Sequence, residues 1–184
     1  MNRRTDPACV LKVDGGRGFI IEYRLPIPPT SRTEFWPQKY ISKRLVVTAA
    51  HCLPDWPPEH ACPSSWDKTY PLLGNLDGSK SGVYAECLYV NPVADIAVLG
   101  CPDEQEPNYD PDLYHELTDD APVLQIGKPR SGPGWVLSID GRWVRTTLDV
   151  RCDFYGRSLW LDPTVAGQSG SPILNLADVW SALW

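Results

Sequence analysis

Nineteen prolines spread over 184 residues set the tightest limit on how this chain can fold. Proline removes a backbone donor and breaks helices, so a bundle of long helices is excluded and short strands joined by rigid loops are favoured. Between the prolines lie runs rich in β-branched and aromatic residues. Residues 8–13 and 18–24 flank Asp14-Gly15-Gly16, a turn signal, and read as a hairpin. Leu25 to Pro37 and Leu53 to Pro63 are proline-rich and read as exposed loops. Residues 44–48 between them read as a buried strand that stops at Ala49-Ala50 and is followed by His51. From Val83 to Val90, Val83, Ala85, Cys87 and Tyr89 alternate with Tyr84, Glu86, Leu88 and Val90. The second set is mostly apolar too, which predicts a strand covered at least partly on both faces. After an Asn91-Pro92 break, Asp95-Ile96-Ala97-Val98-Leu99 is again strand-like.

Residues 102–122 are acidic and rich in turn residues, and we place the boundary between two halves there, 1–120 and 121–184. Beyond it, Trp135 to Ile139 and Arg142 to Leu148 flank Asp140-Gly141, which predicts a hairpin with a two-residue turn. Ser158 to Leu161 is a further short strand. The fold class expected is all-β, in two successive halves. A hydrophobic content of 42% and a charged content of 22% are those of a globular chain.

Charge and hydropathy narrow the function classes. A formal charge of −6 supplies no broad basic surface, which argues against nucleic acid as a partner. No apolar run approaches the ~20 residues that span a bilayer, so no membrane partner is expected. The start, Met1 to Pro7, leads into no apolar segment of signal-peptide type, and the expected location is cytoplasmic rather than secreted. The six cysteines, Cys9, Cys52, Cys62, Cys87, Cys101 and Cys152, are then expected to be reduced; Cys52 and Cys62 are the one pair to check for a bridge, which would tie off a short loop. His51, Cys52, His60 and Cys62 are clustered but lack the spacing of a zinc finger, so neither metal nor cofactor is expected. Trp36 and Trp56 could line a cleft, although aromatic residues more often pack; Tyr114-His115-Glu116 reads as a solvated loop or short helix.

The residue types suited to chemistry are His51, Asp95 and Ser169, in that chain order. A serine hydroxyl is a weak nucleophile at neutral pH and needs a base beside it. An imidazole titrates near physiological pH and can take that proton. A carboxylate on the other ring nitrogen fixes the tautomer and stabilises the imidazolium. Backbone N–H groups near Gly167 and Ser169 are candidate donors to an oxyanion.

These residues sit in recognisable settings. Thr48-Ala49-Ala50-His51-Cys52 resembles the TAAHC motif of trypsin-like serine peptidases, Asp95 to Leu99 resembles their aspartate strand, and Gly167-Gln168-Ser169-Gly170-Ser171-Pro172 resembles their GDSGGP motif. Gly15 to Ile21 is similar to the first strand of the bacterial members that are not made as zymogens. The similarity runs from about residue 10 to residue 174. It implies a two-barrel chymotrypsin-like fold, with peptide-bond hydrolysis through an acyl-enzyme in the cleft between the barrels. His51 is then the base, Asp95 its orienter and Ser169 the nucleophile, with Gly167 and Ser169 forming the oxyanion hole; a peptide or protein is the implied substrate.

The sequence departs from the family pattern at four places. Gln168 stands where zymogen-activated relatives have an aspartate that pairs with a newly cut N-terminus, and no matching cleavage site precedes the first strand. Ser171 replaces the second glycine of the motif. Pro163 lies six positions before the serine, where trypsin keeps its acidic specificity residue, so a preference for basic residues is not implied; Asp162 is only a neighbour. Fifteen residues follow Ser169, room for a strand at 171–174, a turn and the start of another strand over Val179 to Trp184. The expectation is an incomplete second barrel, and it leaves two functions to separate: a serine endopeptidase, or an inactive pseudoprotease that binds peptides or protein partners.

Overall fold

The structure is a computed structural model and describes residues 7–26, 40–54, 69–102, 109–127, 131–153, 156–160, 168–175 and 179–183. Six antiparallel strands close a barrel in the order β1-β2-β3-β6-β5-β4. They are β1 (Val10–Val13), β2 (Gly16–Pro26), β3 (Tyr40–Thr48), β4 (Thr69–Asn75), β5 (Val83–Asn91) and β6 (Ile96–Gly100). A helix α1 (Pro111–Thr118) follows, and then a six-stranded sheet of order β10-β9-β8-β11-β12-β7. Its members are β7 (Gln125–Ile126), β8 (Gly132–Leu137), β9 (Trp143–Asp153), β10 (Gly156–Trp160), β11 (Pro172–Asn175) and β12 (Val179–Leu183). Among the described residues no helix is long and apolar enough to cross a membrane.

The continuous apolar pairs in the first strands have a physical reason. Leu11, Ile20 and Val46 point into the barrel, while their neighbours Val10, Phe19 and Val47 belong to a second cluster with Leu137 of β8 and Leu174 of β11. Side chains alternate across a strand, so β1, β2 and β3 are buried on one face by the barrel interior and on the other by the second sheet. This shared wall, with Phe19 wholly buried, packs the two halves together.

Several details depart from what the sequence suggests. β4 carries no strand signal because Pro71 interrupts it; the structure accommodates that proline at an irregularity in the β4–β5 pairing between Pro71 and Leu73. In β5 the alternation breaks at a register shift between Cys87 and Tyr89, so Tyr89 turns outward and Val90 takes the inward position. The β8–β9 connection is longer than a two-residue turn. Leu137 pairs with Trp143, the Gly141 N–H donates to the Ser138 carbonyl, and among the turn residues the positive φ falls on Gly141 and not on Asp140. A type I-like turn closed by one left-handed glycine therefore replaces the expected one. Residues 102–122 hold α1, capped by the Asp110 carboxylate accepting from the Asp112 N–H, with Pro111 at the first helical position. The helix buries Tyr114 and Leu117 on the barrel core, and the Tyr114 hydroxyl donates to the Arg44 carbonyl at 2.9 Å. Cys9, Cys52, Cys87 and Cys101 are reduced thiols, so Cys52 is not bridged to Cys62, which itself lies outside the described residues.

The shifted β5 register gives a direct test. Val90→Ala should cost about 2 kcal/mol because it empties a fully buried site. Tyr89→Ala, on the outer side, should cost less than about 1 kcal/mol. Urea unfolding of the two variants measures the contrast, and unbroken alternation would reverse it.

Candidate active site

β3 ends at Thr48, next to the junction of the barrel and the second sheet. Thr48, Ala49 and Ala50 are buried, and only small residues fit there before the chain turns through a single 3-10 turn, Ala50–Cys52. That turn delivers His51 to the surface while Cys52 stays inside. Across from it, the Asn91 carboxamide accepts from the Val93 and Ala94 N–H groups at 3.1 and 3.0 Å. This side-chain-closed turn sets up Asp95 at φ +53°, a left-handed conformation that aspartate tolerates better than most residues.

The result is a two-point contact between His51 and Asp95. The His51 N–H donates to Asp95 Oδ1 at 3.0 Å, and His51 Nδ1 lies 2.7 Å from Asp95 Oδ2. An ionised carboxylate can only accept, so the Nδ1 proton belongs to the ring and the basic lone pair of the neutral imidazole is on Nε2. Both side chains are a little over two-fifths exposed, 43% and 42%. A pair this open adds little stability, which makes orientation its main effect.

Ser169 comes from the other half. It lies in a turn closed by the Ser171 N–H donating to the Gln168 carbonyl at 3.0 Å, with Gly170 at φ +77°. A Cβ on Gly170 would collide with the Arg17 carbonyl and crowd the Thr48 hydroxyl, so both the conformation and the space demand glycine. The Ser169 carbonyl accepts from the Arg17 N–H at 2.7 Å and lies 3.8 Å from the Cys52 sulfur. Ser169 is thereby seated beside the residue that follows His51. Among the described residues no hydrogen bond joins the Ser169 hydroxyl to His51; such bonds often tighten only when substrate binds. Gly167 lies outside the described residues, as do Pro163, Asp162, His60, Trp36 and Trp56.

Arg17 is the residue that sequence reasoning passed over. It is 5% exposed, and both terminal nitrogens of its guanidinium are engaged across the junction. Its Nη1 and Nη2 donate to the Leu137 and Ile139 carbonyls, both at 3.0 Å, and its own carbonyl accepts from the Thr48 hydroxyl at 2.7 Å. Burial lowers the pKa of the guanidinium and Asp140 raises it. Gln168 joins the same junction, its side-chain amide donating to the Leu137 carbonyl at 2.9 Å. The position before the serine is therefore anchored to the β8–β9 hairpin. The available signal was an arginine flanked by glycines in an otherwise apolar strand, Gly16-Arg17-Gly18-Phe19-Ile20. Burial also pushes up the Cys52 thiol, which keeps it neutral beside Ser169. Ser171 Oγ is buried with no hydrogen-bond partner among the described residues, a cost that a glycine there would not incur.

This geometry, one closed β-barrel and a second partial sheet with His51, Asp95 and Ser169 near their junction, is that of the chymotrypsin-like protease fold. Comparison with solved structures supports the fold. The chain is similar to the inactive form of the Rv3671c protease, with a TM-score of 0.50 and 18% identity over 97% of this chain and 77% of that one. A second match is the inactive form of a serine-to-alanine mutant of Rv3671c from M. tuberculosis H37Rv, with a TM-score of 0.46 and 17% identity over 96% of this chain and 74% of that one. No protein-family model matches the chain, and no curated protein does.

Replacing Arg17 should unfasten the junction. Arg17→Met takes the donor from the Ile139 carbonyl and leaves the Leu137 carbonyl with the Gln168 amide alone, and should cost on the order of 2 kcal/mol in urea unfolding. Arg17→Lys should recover less than half of that loss, because one ammonium does not reproduce the fork that reaches both carbonyls.

Proposed function

We propose that the protein is a serine endopeptidase that hydrolyses peptide bonds through an acyl-enzyme on Ser169. The observation that carries the proposal is the His51–Asp95 contact, two hydrogen bonds of 3.0 and 2.7 Å, beside a serine turn fastened to the same strand ends. In this reading residues 1–120 supply the base and its orienter, and residues 121–184 supply the nucleophile. His51 Nε2 takes the Ser169 proton as Oγ attacks the scissile carbonyl, and Asp95 stabilises the imidazolium that forms. N–H groups of Gly167 and Ser169 receive the oxyanion. His51 then passes its proton to the leaving amine, and water attacks the ester by the same route in reverse. The half-exposed His51 suits a cleft that a bound peptide closes.

A second reading is favoured by one observation: among the described residues the second half is a six-stranded sheet and not a closed barrel. It makes the chain a pseudoprotease that holds a peptide in this cleft without cutting it. A fluorophosphonate probe separates the two. On the first reading wild-type protein is labelled at Ser169, Ser169→Ala is not, and Asp95→Asn lowers the labelling rate by up to about 10⁴-fold. Absence of labelling on folded wild-type protein, with peptide binding indifferent to Ser169→Ala, would establish the second.

A further inference from the structure

A separate cluster of reactive side chains lies at the far end of β6 from Asp95. Cys101 follows the last residue of that strand, and its sulfur is 3.5 Å from His115 Nε2 in the final turn of α1. The other ring nitrogen, His115 Nδ1, is 3.3 Å from Asp119 Oδ1 and 3.2 Å from Oδ2. Asp119 is itself held: its N–H donates to the His115 carbonyl at 2.8 Å, and the Thr118 hydroxyl reaches Oδ1 at 3.4 Å. The order thiol, imidazole, carboxylate is the arrangement in which a cysteine passes its proton to a histidine. Two features favour the charge-separated pair. The carboxylate stabilises an imidazolium, and the C-terminal end of α1 does the same through the helix dipole. His115 and Asp119 are 48% and 56% exposed, and Cys101 is half-buried at the surface, so a small reagent can reach the sulfur.

We propose that Cys101, His115 and Asp119 form a second nucleophilic centre, at which Cys101 undergoes thiol–disulfide exchange with small disulfides. The Cys101 proton moves to His115 Nε2, and the thiolate attacks one sulfur of the disulfide. A new S–S bond forms to Cys101 as the old one breaks, and the departing thiolate takes the proton back from His115. Cys101 is oxidised to a mixed disulfide and one half of the reagent is reduced to a thiol. The titratable groups on the surrounding elements are Glu86 on β5, opposite Gly100 in the strand pairing, Arg44 on β3, and Tyr114 and Glu116 on α1. Lys80 is occupied by Glu116 at 2.7 Å, and Arg44 Nη1 by the Ala121 carbonyl at 3.0 Å. Glu86 and Asp119 are both acidic, which makes a cationic disulfide the fitting probe. This centre does not depend on the proposed peptidase activity.

The test is modification of the folded full chain, with peptide mapping to assign the adduct to Cys101. Cystamine identifies the mixed disulfide, and iodoacetamide gives the pH profile of the same sulfur. The labelling midpoint of Cys101 should lie at least about one pH unit below that of the same cysteine in the urea-unfolded chain. At neutral pH the gain in rate should be only about threefold, because a more acidic thiol is a weaker nucleophile. His115→Gln should return the midpoint to the unfolded value, and Asp119→Asn should return part of it. Both changes fall on exposed side chains, so the variants should fold. A midpoint at or above the unfolded value, or one that His115→Gln leaves in place, would overturn the proposal.

Discussion

The contact on which the rest of the site depends is the hydrogen bond from the Arg17 N–H to the Ser169 carbonyl, 2.7 Å long. It crosses from the barrel to the second sheet, and the groups around it leave little freedom. The Arg17 carbonyl is taken by Thr48, its guanidinium by Leu137 and Ile139, and the space above it by Gly170. Loosening the Ser169 turn would leave the buried Arg17 N–H without its acceptor, and an unpaired buried polar group is costly. A charged side chain in this place is expensive to desolvate, and it persists because two carbonyls and the nearby Asp140 compensate it. The serine turn is thus held by the strand that also packs the halves together, since Phe19 lies two residues further along β2.

The two sides of the site achieve their geometry by different means. Ser169 is positioned by burial and by bonds to main-chain groups that cannot move without disturbing the core. His51 and Asp95 are positioned by local turns, the 3-10 turn after β3 and the Asn91-closed turn before β6. These are tied into one sheet, because Thr48 pairs with Ala97 in the β3–β6 ladder, three residues before His51 and two after Asp95. The left-handed backbone at Asp95 carries a strain of order 1–3 kcal/mol. The Asn91 bonds and the adjoining ladder offset it. Orientation is thereby purchased from rigid surroundings, and the exposed His51–Asp95 contact itself adds little stability.

How much of this is legible in the sequence depends on whether the signal is local. His51, Asp95 and Ser169 are legible because each is fixed by its own short segment: small buried residues before the histidine, a strand after the aspartate, a glycine turn around the serine. The strands β2, β3, β5 and β6 are legible as β-branched runs. β4 is not, because Pro71 is tolerated only through a bulge that exists once β5 is beside it. The inward role of Val90 is hidden for the same reason, since a register shift is a property of two strands. Arg17 looks like an ordinary charged residue until the Leu137 and Ile139 carbonyls, 120 and 122 positions away, are brought to it. Residue-level patterns carry local geometry, and what they omit here is supplied by partners distant in sequence.

The second sheet shows the same dependence on distant partners. Fifteen residues follow Ser169, and they form β11 and β12 as an antiparallel pair. The side of β12 away from β11 is joined by β7, from the stretch that leaves the barrel, in a short parallel pairing of Val179 with Gln125 and Trp180 with Ile126. A parallel partner cannot come from a hairpin, so the chain between the two strands has to be long, and here it runs through β8, β9, β10 and β11 before β12 returns to β7. The preceding residue, Leu124, is fixed first: its N–H donates to the Ile20 carbonyl at 2.9 Å, and its side chain belongs to the cluster shared by the halves. An unpaired strand edge invites association with other chains. Here the connecting segment covers that edge and, through Leu124, reaches β2 only three residues from Arg17. The segment between the halves is thus part of the wall that holds the site, and an alteration there would reach Ser169 through β2.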